Sequence, residues 1–181
     1  APVAAPEETP AETQELSGKV QIEIAVKDYG TIALELDADA APKTVTNFVK
    51  LAEEGFYDGL TFHRIIAGFM MQGGAPASGE DSLQNIQGEF ASNGIENHLK
   101  HTRGVMSMAR TPIKDSASSQ FCIMHQDAPH LDGAYAAFGK VLTGMEVVDA
   151  ICQNTPVTDR NGTVSKENQP VITTIRLIEN P

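Results

Sequence analysis

Positive charge is what this sequence most lacks. Across 181 residues, 13 Lys and Arg stand against 24 Asp and Glu, a formal net charge of −11. The basic residues are scattered and none form a cluster. Binding a phosphate backbone needs a concentrated basic surface, so a nucleic-acid partner is excluded. No apolar run approaches eighteen residues, the length at which a membrane-spanning helix is read. Cysteine is scarce too. Cys122 and Cys152 have neither CxxC nor metal-ligand spacing, and two free, mostly buried thiols are expected. His98 and His101 lie three apart, with His63, His125 and His130 elsewhere, but no HExxH or Cys/His framework completes a zinc site. No metal and no cofactor are therefore expected. Cys122 and His125 are three apart along an extended run and face opposite ways, which denies the thiol a nearby base. There is no internal repeat.

What is present suits one well-buried core. Hydrophobic residues make up 41% and charged residues 20%, ordinary for a globular domain of this length. Residues 1–18 differ in kind, being dominated by Ala, Pro, Glu and Thr, with Glu7, Glu8, Glu12 and Glu15 and no Lys or Arg. Such a segment has too little apolar surface to offset the entropy of ordering, and reads as a flexible acidic spacer before a domain at 19–181. The chain starts at Ala1 rather than Met, so upstream processing is expected. Spacers of this composition often tether a domain to an export signal or lipid anchor. An extracytoplasmic location is thus favoured slightly over a cytoplasmic one.

Within the domain, Val20, Ile22, Ile24 and Val26 alternate with polar or small residues, as do Ile32, Leu34 and Leu36. Joined at Asp28-Tyr29-Gly30, these runs predict a β-hairpin. Pro42, the helical spacing of Val45, Phe48, Val49 and Ala52, and Gly55 as a stop predict a helix. Short β-like runs follow at 61–66, 69–72, 105–108, 120–124 and 136–141. A second helix is expected over 145–151 and a last strand over 171–178. Two helices among many short strands suggest a barrel or sandwich with its ends covered. The stretches 73–99 and 154–170, rich in small polar residues, carry no assignable element.

One arginine stands out. Arg64 sits among Phe62, Ile65, Ile66, Phe69, Met70 and Met71, with no acidic residue on its C-terminal side before Glu80. An arginine there must either reach water or aim its five donors at something specific. Two readings are open: a salt bridge to a distant carboxylate, or a charged donor at the edge of an apolar ligand pocket.

The run from Phe62 to Gly74 resembles the signature of the cyclophilins, peptidyl-prolyl isomerases built as an eight-stranded antiparallel β-barrel capped by two α-helices. The resemblance continues through Asn97 to Arg110, Ser119-Gln120-Phe121, Leu131-Asp132-Gly133 and Phe138-Gly139-Lys140, and covers about Lys19 to Glu179. It implies a mainly β fold and acceleration of rotation about X–Pro bonds, without covalent intermediate or metal, assisting protein folding. Proline-containing peptides and unfolded proteins would be the partners, and the chain would be a monomer. By the same resemblance Arg64 is the catalytic residue. Phe69, Met70 and Leu131 are walls of the proline pocket, and Gln72 supports Arg64. Ala109 and Arg110 pair with the extended peptide backbone, with Gln120 beside them.

The sequence departs from the family pattern at four positions in this site. Cys122 stands where a second Phe usually floors the pocket, a loss of about 1.5–3 kcal/mol of apolar contact unless Met106 or Met124 fills the space. Tyr135 and Arg110 replace a histidine and an asparagine of eukaryotic members, as in the bacterial branch, and both remain able to present donors to a peptide. His130 replaces the Trp with which many members hold cyclosporin, so weak binding of that drug is expected. A peptide-binding module slowed or silenced by Cys122 is the competing reading.

Overall fold

The computed structural model describes residues 15–76 and 85–178. Residues 1–14 of the expected spacer lie outside them. Eight antiparallel strands form one sheet: β1 (Lys19–Val26), β2 (Gly30–Asp37), β3 (Phe62–Ile66), β4 (Met70–Gly73), β5 (Val105–Met108), β6 (Phe121–Met124), β7 (Ala137–Thr143) and β8 (Ile172–Ile178). Their order is β3-β4-β6-β5-β7-β2-β1-β8. The sheet curls until its edges meet, where Thr61 and Val171, just before β3 and β8, form an antiparallel bridge. Phe62 N–H donates to Pro170 O at 3.0 Å and Ile172 N–H to Leu60 O at 2.7 Å across that seam. Closure of this kind removes part of the exposed edge that would otherwise template aggregation.

The expected hairpin is β1–β2, in register from Lys19 opposite Asp37 to Val26 opposite Gly30. Its alternation becomes one-sided burial: Ile22, Ile24, Ile32, Leu34 and Leu36 are fully buried. Both predicted helices form, α1 over Pro42–Glu53 and α2 over Met145–Asn154, the latter extending three residues beyond the expected end. At the C-terminus of α1, Gly55 N–H donates to Ala52 O and Phe56 N–H to Leu51 O, with Gly55 at φ 78°. That is the left-handed stop a glycine permits. Val45, Phe48, Val49 and Ala52 of α1 join Val148, Ile151 and Cys152 of α2 in the barrel core.

The two unassigned stretches contain short elements that their sequences do not signal. In the first, Glu89 is 2% exposed and caps α1 from outside. Its carboxylate accepts from Lys43 N–H (3.0 Å), Thr44 N–H (2.8 Å) and Thr44 Oγ1 (2.7 Å). The residue before the helix is Ala41, which has no capping side chain, so a distant carboxylate meets the free N–H groups and the positive end of the helix. In the second, Asp159 organises a tight turn by accepting from Asn161 N–H and Thr163 N–H. Thr163 then bridges to Arg64 of β3.

Candidate active site

A second apolar cluster lies on the outer face of the sheet. Met70, Val105, Met124, Ala128 and Ala137 are buried there, with Phe69, Cys122 and Leu131 packed against them. This explains why β4, β5 and β6 lack clean alternation: β5 is buried on both faces. Over this cluster opens a cleft of about 170 Å³, lined on its apolar side by Phe69, Met70, Met124 and Leu131 and on its polar side by Arg64, Gln72 and Arg110.

Nine of the ten sequence-predicted site residues line this cleft: Arg64, Phe69, Met70, Gln72, Ala109, Arg110, Cys122, Leu131 and Tyr135. Gln120, the tenth, lines an adjoining cleft shared with Gln72, Ala109 and Arg110. Its amide oxygen accepts from Gln72 Nε2 at 2.8 Å. Gln72 Oε1 in turn accepts from Arg64 Nη1 at 3.2 Å. The predicted support of Arg64 is therefore a two-amide relay.

Arg64 forms no salt bridge to a carboxylate among the described residues. Its remaining contacts go to Asn161, whose backbone O accepts from Nε at 2.8 Å and whose Oδ1 accepts from Nη2 at 3.1 Å. Three of the five guanidinium N–H donors are thus taken by neutral oxygens, and two remain for a ligand. Because the acceptors are neutral, the full positive charge stays at the cleft. Asn161 lies 97 positions from Arg64, in a stretch read as featureless, and nothing in its local sequence marks it. Gly162 makes the approach possible. It sits at φ 84°, and a Cβ there would come 2.5 Å from Ile65 O.

Cys122 lies opposite Gln72 on β4 and Ser107 on β5, partly exposed in the cleft floor. Burial pushes its thiol up to about 12, against the pull of the nearby Arg64 charge. His125 is engaged elsewhere, accepting from Gly68 N–H through Nδ1 and lying 3.1 Å from Asp149 through Nε2. Of the two residues expected to fill the space left by the missing ring, Met124 borders the cleft. Met106 points into the barrel core instead. Cys152, in α2, also remains a free thiol.

Arg110 is less free than expected. Its Nε and Nη2 donate to Ala134 O at 3.0 and 2.6 Å, and Nη1 donates to Thr111 O at 2.9 Å. Its guanidinium lies between the rings of Phe90 and Tyr135, 4.8 and 4.6 Å from their centroids. Ala109 N–H is taken by Gln120 O, so pairing of Ala109 with a peptide falls to its carbonyl.

The two histidines spaced three apart have separate fates. His98 is exposed, while His101 is 1% exposed and hydrogen-bonded on both ring nitrogens. Nδ1 lies 2.9 Å from Asp132 Oδ1 and Nε2 lies 2.8 Å from Ser107 Oγ. Asp132 also accepts from His101 N–H. The carboxylate favours a proton on Nδ1, leaving Nε2 to accept from the serine. Ser107 borders the cleft floor but is only 2% exposed, so the trio braces the floor rather than offering a nucleophile.

Residues 20–177 match the family described as cyclophilin type peptidyl-prolyl cis-trans isomerase/CLD. The chain belongs to the cyclophilin family. It is 48% identical over 129 residues to peptidyl-prolyl cis-trans isomerase A of Dickeya dadantii, covering 68% of this chain and 67% of that one. To peptidyl-prolyl cis-trans isomerase B of Bacillus subtilis it is 46% identical over 121 residues, covering 67% and 82%. Among solved structures, a Cryptosporidium parvum cyclophilin type peptidyl-prolyl cis-trans isomerase superposes with a TM-score of 0.77 at 28% identity. The match covers 90% of this chain and 99% of that one. The same protein has been solved in the presence of the dipeptide ala-pro. The eight-stranded antiparallel barrel with two helices is thus the cyclophilin fold, and this cyclophilin's close relatives include bacterial ones.

Proposed function

We propose that this cyclophilin accelerates rotation about X–Pro bonds by holding the prolyl ring in the apolar part of the cleft while Arg64 donates to the twisting amide. One observation carries this reading: a guanidinium held at the rim of an apolar cleft by neutral oxygens, with two donors left over. Rotation is slow because nitrogen shares its lone pair with the carbonyl, a barrier of about 18–20 kcal/mol. An acceleration of about 10⁵ requires roughly 7 kcal/mol of preferential transition-state binding. As the bond twists, the nitrogen becomes pyramidal and its lone pair becomes an acceptor. A fixed donor aimed there binds the twisted state more strongly than either planar one, and oriented donors of this kind are worth about 3–4 kcal/mol. The remainder falls to Phe69, Met70 and Leu131, which hold the ring while the rest of the peptide turns.

Arg64→Ala should lower kcat/KM on a short X–Pro peptide by about 10²–10³-fold with little change in Tm. An unchanged rate would refute the mechanism. The small side chain at Cys122 favours one second reading, a slow or silent peptide-binding module, which binding without turnover would select. Unfolded proteins with exposed prolines are the natural clients of a monomeric enzyme of this kind, and assisting slow folding steps is its role. The cyclosporin expectation rests on His130, which lies against Phe69 with ring centroids 5.4 Å apart. A nanomolar dissociation constant by calorimetry would overturn it. The composition of residues 1–18 supports action outside the cytoplasm, which cell fractionation would test.

A further inference from the structure

The adjoining cleft, about 290 Å³, is walled by polar side chains including Gln72, Thr111, Ser116 and Gln120. Gln72, Ala109 and Arg110 belong to both clefts. An extended peptide advances about 3.3 Å per residue and turns alternate side chains to the same face. With its proline in the first cleft, such a peptide lays a side chain from a nearby position into the second.

Among the described residues, Arg110 is the only charged one lining that second cleft. Every hydrogen bond it makes among the described residues goes to a neutral backbone oxygen, and both its stacking partners are uncharged rings. Two acidic residues close in sequence to its contact partners, Glu89 beside Phe90 and Asp115 beyond Pro112, are committed elsewhere. Asp115 accepts from Gly88 N–H and Asn93 Nδ2, and Glu89 caps α1. Among the described residues no carboxylate pairs with Arg110, so its positive charge stands at the junction of the clefts. The stacked rings and the Ala134 carbonyl also hold the guanidinium in one plane. Little side-chain entropy is then lost when a ligand uses it, and a carboxylate is the group that both answers the charge and accepts from the Nη2 hydrogen these contacts leave free.

We propose that Arg110 makes this cyclophilin selective for X–Pro substrates carrying an Asp or Glu side chain within three residues of the proline. The proposal rests on the isomerase reading above and names its substrate class. It is not a consequence of overall charge, since a chain of net charge −11 repels acidic peptides at long range. The selectivity has to come from local contact.

The experiment is a set of paired peptides around one X–Pro bond, each with Glu or Gln at a single position from three before to three after it. Turnover is read by magnetisation exchange. At one or more positions the Glu peptide should exceed its Gln partner in kcat/KM by about three- to tenfold. Arg110→Gln should bring that ratio to one or below, whatever it does to the absolute rate, because damage to the fold cancels within each pair. Turnover with a Glu/Gln ratio near one at all positions would overturn the proposal. So would a ratio that survives Arg110→Gln. Absence of turnover on every peptide would instead overturn the isomerase reading on which it rests.

Discussion

Asn161→Ala isolates one part of the cradle that holds Arg64. The substitution removes Oδ1, which accepts from Nη2 at 3.1 Å, but leaves the backbone oxygen that accepts from Nε at 2.8 Å. Hydrogen bonds to charged groups contribute about 1.5–3 kcal/mol when well buried. This one is exposed, so about 1 kcal/mol is the better figure, and the guanidinium keeps two of its three anchors. The expected consequence is roughly a fivefold fall in kcat on an X–Pro peptide, with KM and Tm little changed. Asn161→Asp sharpens the test. A carboxylate there would hold the guanidinium at least as firmly but draw on its charge, and in this account a partly neutralised Arg64 is a poorer donor to the prolyl nitrogen. The Asp variant should therefore be slower than wild type despite its intact geometry. The assay is magnetisation exchange on a proline tetrapeptide, with circular dichroism melts run alongside. An Ala variant with wild-type kcat would show that the side-chain anchor is idle. An Asp variant as fast as wild type would refute the argument from neutral acceptors.

Three further outcomes follow from the surroundings of the site. Burial pushes both Cys122 and Cys152 up to about 12, so little of either is thiolate at pH 8, and native protein should react with a disulfide reagent at least tenfold more slowly than an exposed cysteine peptide. Rapid labelling of either thiol in the folded state would contradict this. Burial also lowers the His101 pKa below its ordinary 6.5, with the attraction of Asp132 opposing, and burial together with the Arg64 charge lowers that of His63. In both cases the unfolded chain binds the proton more readily. Their contribution to stability is therefore complete above pH 6.5 and lost as pH falls through the folded values. Tm should decline on acidification from pH 7 toward 5, and a His101→Gln variant should show a shallower decline even if it is less stable throughout. Glu89→Ala strips α1 of its remote cap and leaves buried N–H groups unpaired, for an expected loss of about 2–3 kcal/mol in urea unfolding; a loss below 0.5 kcal/mol would mean that other groups satisfy the helix end.

Legibility in the sequence tracked how each element is buried. The β1–β2 hairpin was plain because one face meets the core and the other meets water, which writes period two into Ile22, Ile24, Ile32 and Leu34. α1 was plain because Pro42 and Gly55 punctuate a helical stripe. In β4, β5 and β6 the alternation fails, since their outer faces carry the apolar cluster beneath the cleft. Periodicity alone could find those runs but not say what covered them. The site residues within about ten positions of Arg64 were readable from the motif, and so were Ala109, Arg110, Gln120 and Leu131, because the family's ordered motifs place them. Asn161 and Glu89 were not, nor was the pairing of His101 with Ser107 and Asp132, although the motifs contain all three. Asn161 and Glu89 act across long loop closures, and a polar residue in a polar stretch carries no mark of the partner it will meet.

Asn161 has a physical reason for being where it is. A guanidinium that must stay fully charged cannot be held by a neighbouring carboxylate, so its anchors have to be neutral oxygens. Neutral oxygens hold a cation less strongly than a carboxylate does, and several are needed to fix it. Arg64 takes its three from two separate parts of the chain: Gln72 on the adjacent strand, itself held by Gln120, and both oxygens of Asn161 in the Asp159 turn. The turn reaches β3 only because Gly162 allows its backbone to approach Ile65 O more closely than a side chain would permit. The 154–170 stretch therefore looks featureless for the same reason that it is useful. Its small polar residues supply backbone reach and uncharged acceptors, and a stretch with more hydrophobic or acidic character could supply neither without burying itself or neutralising the arginine.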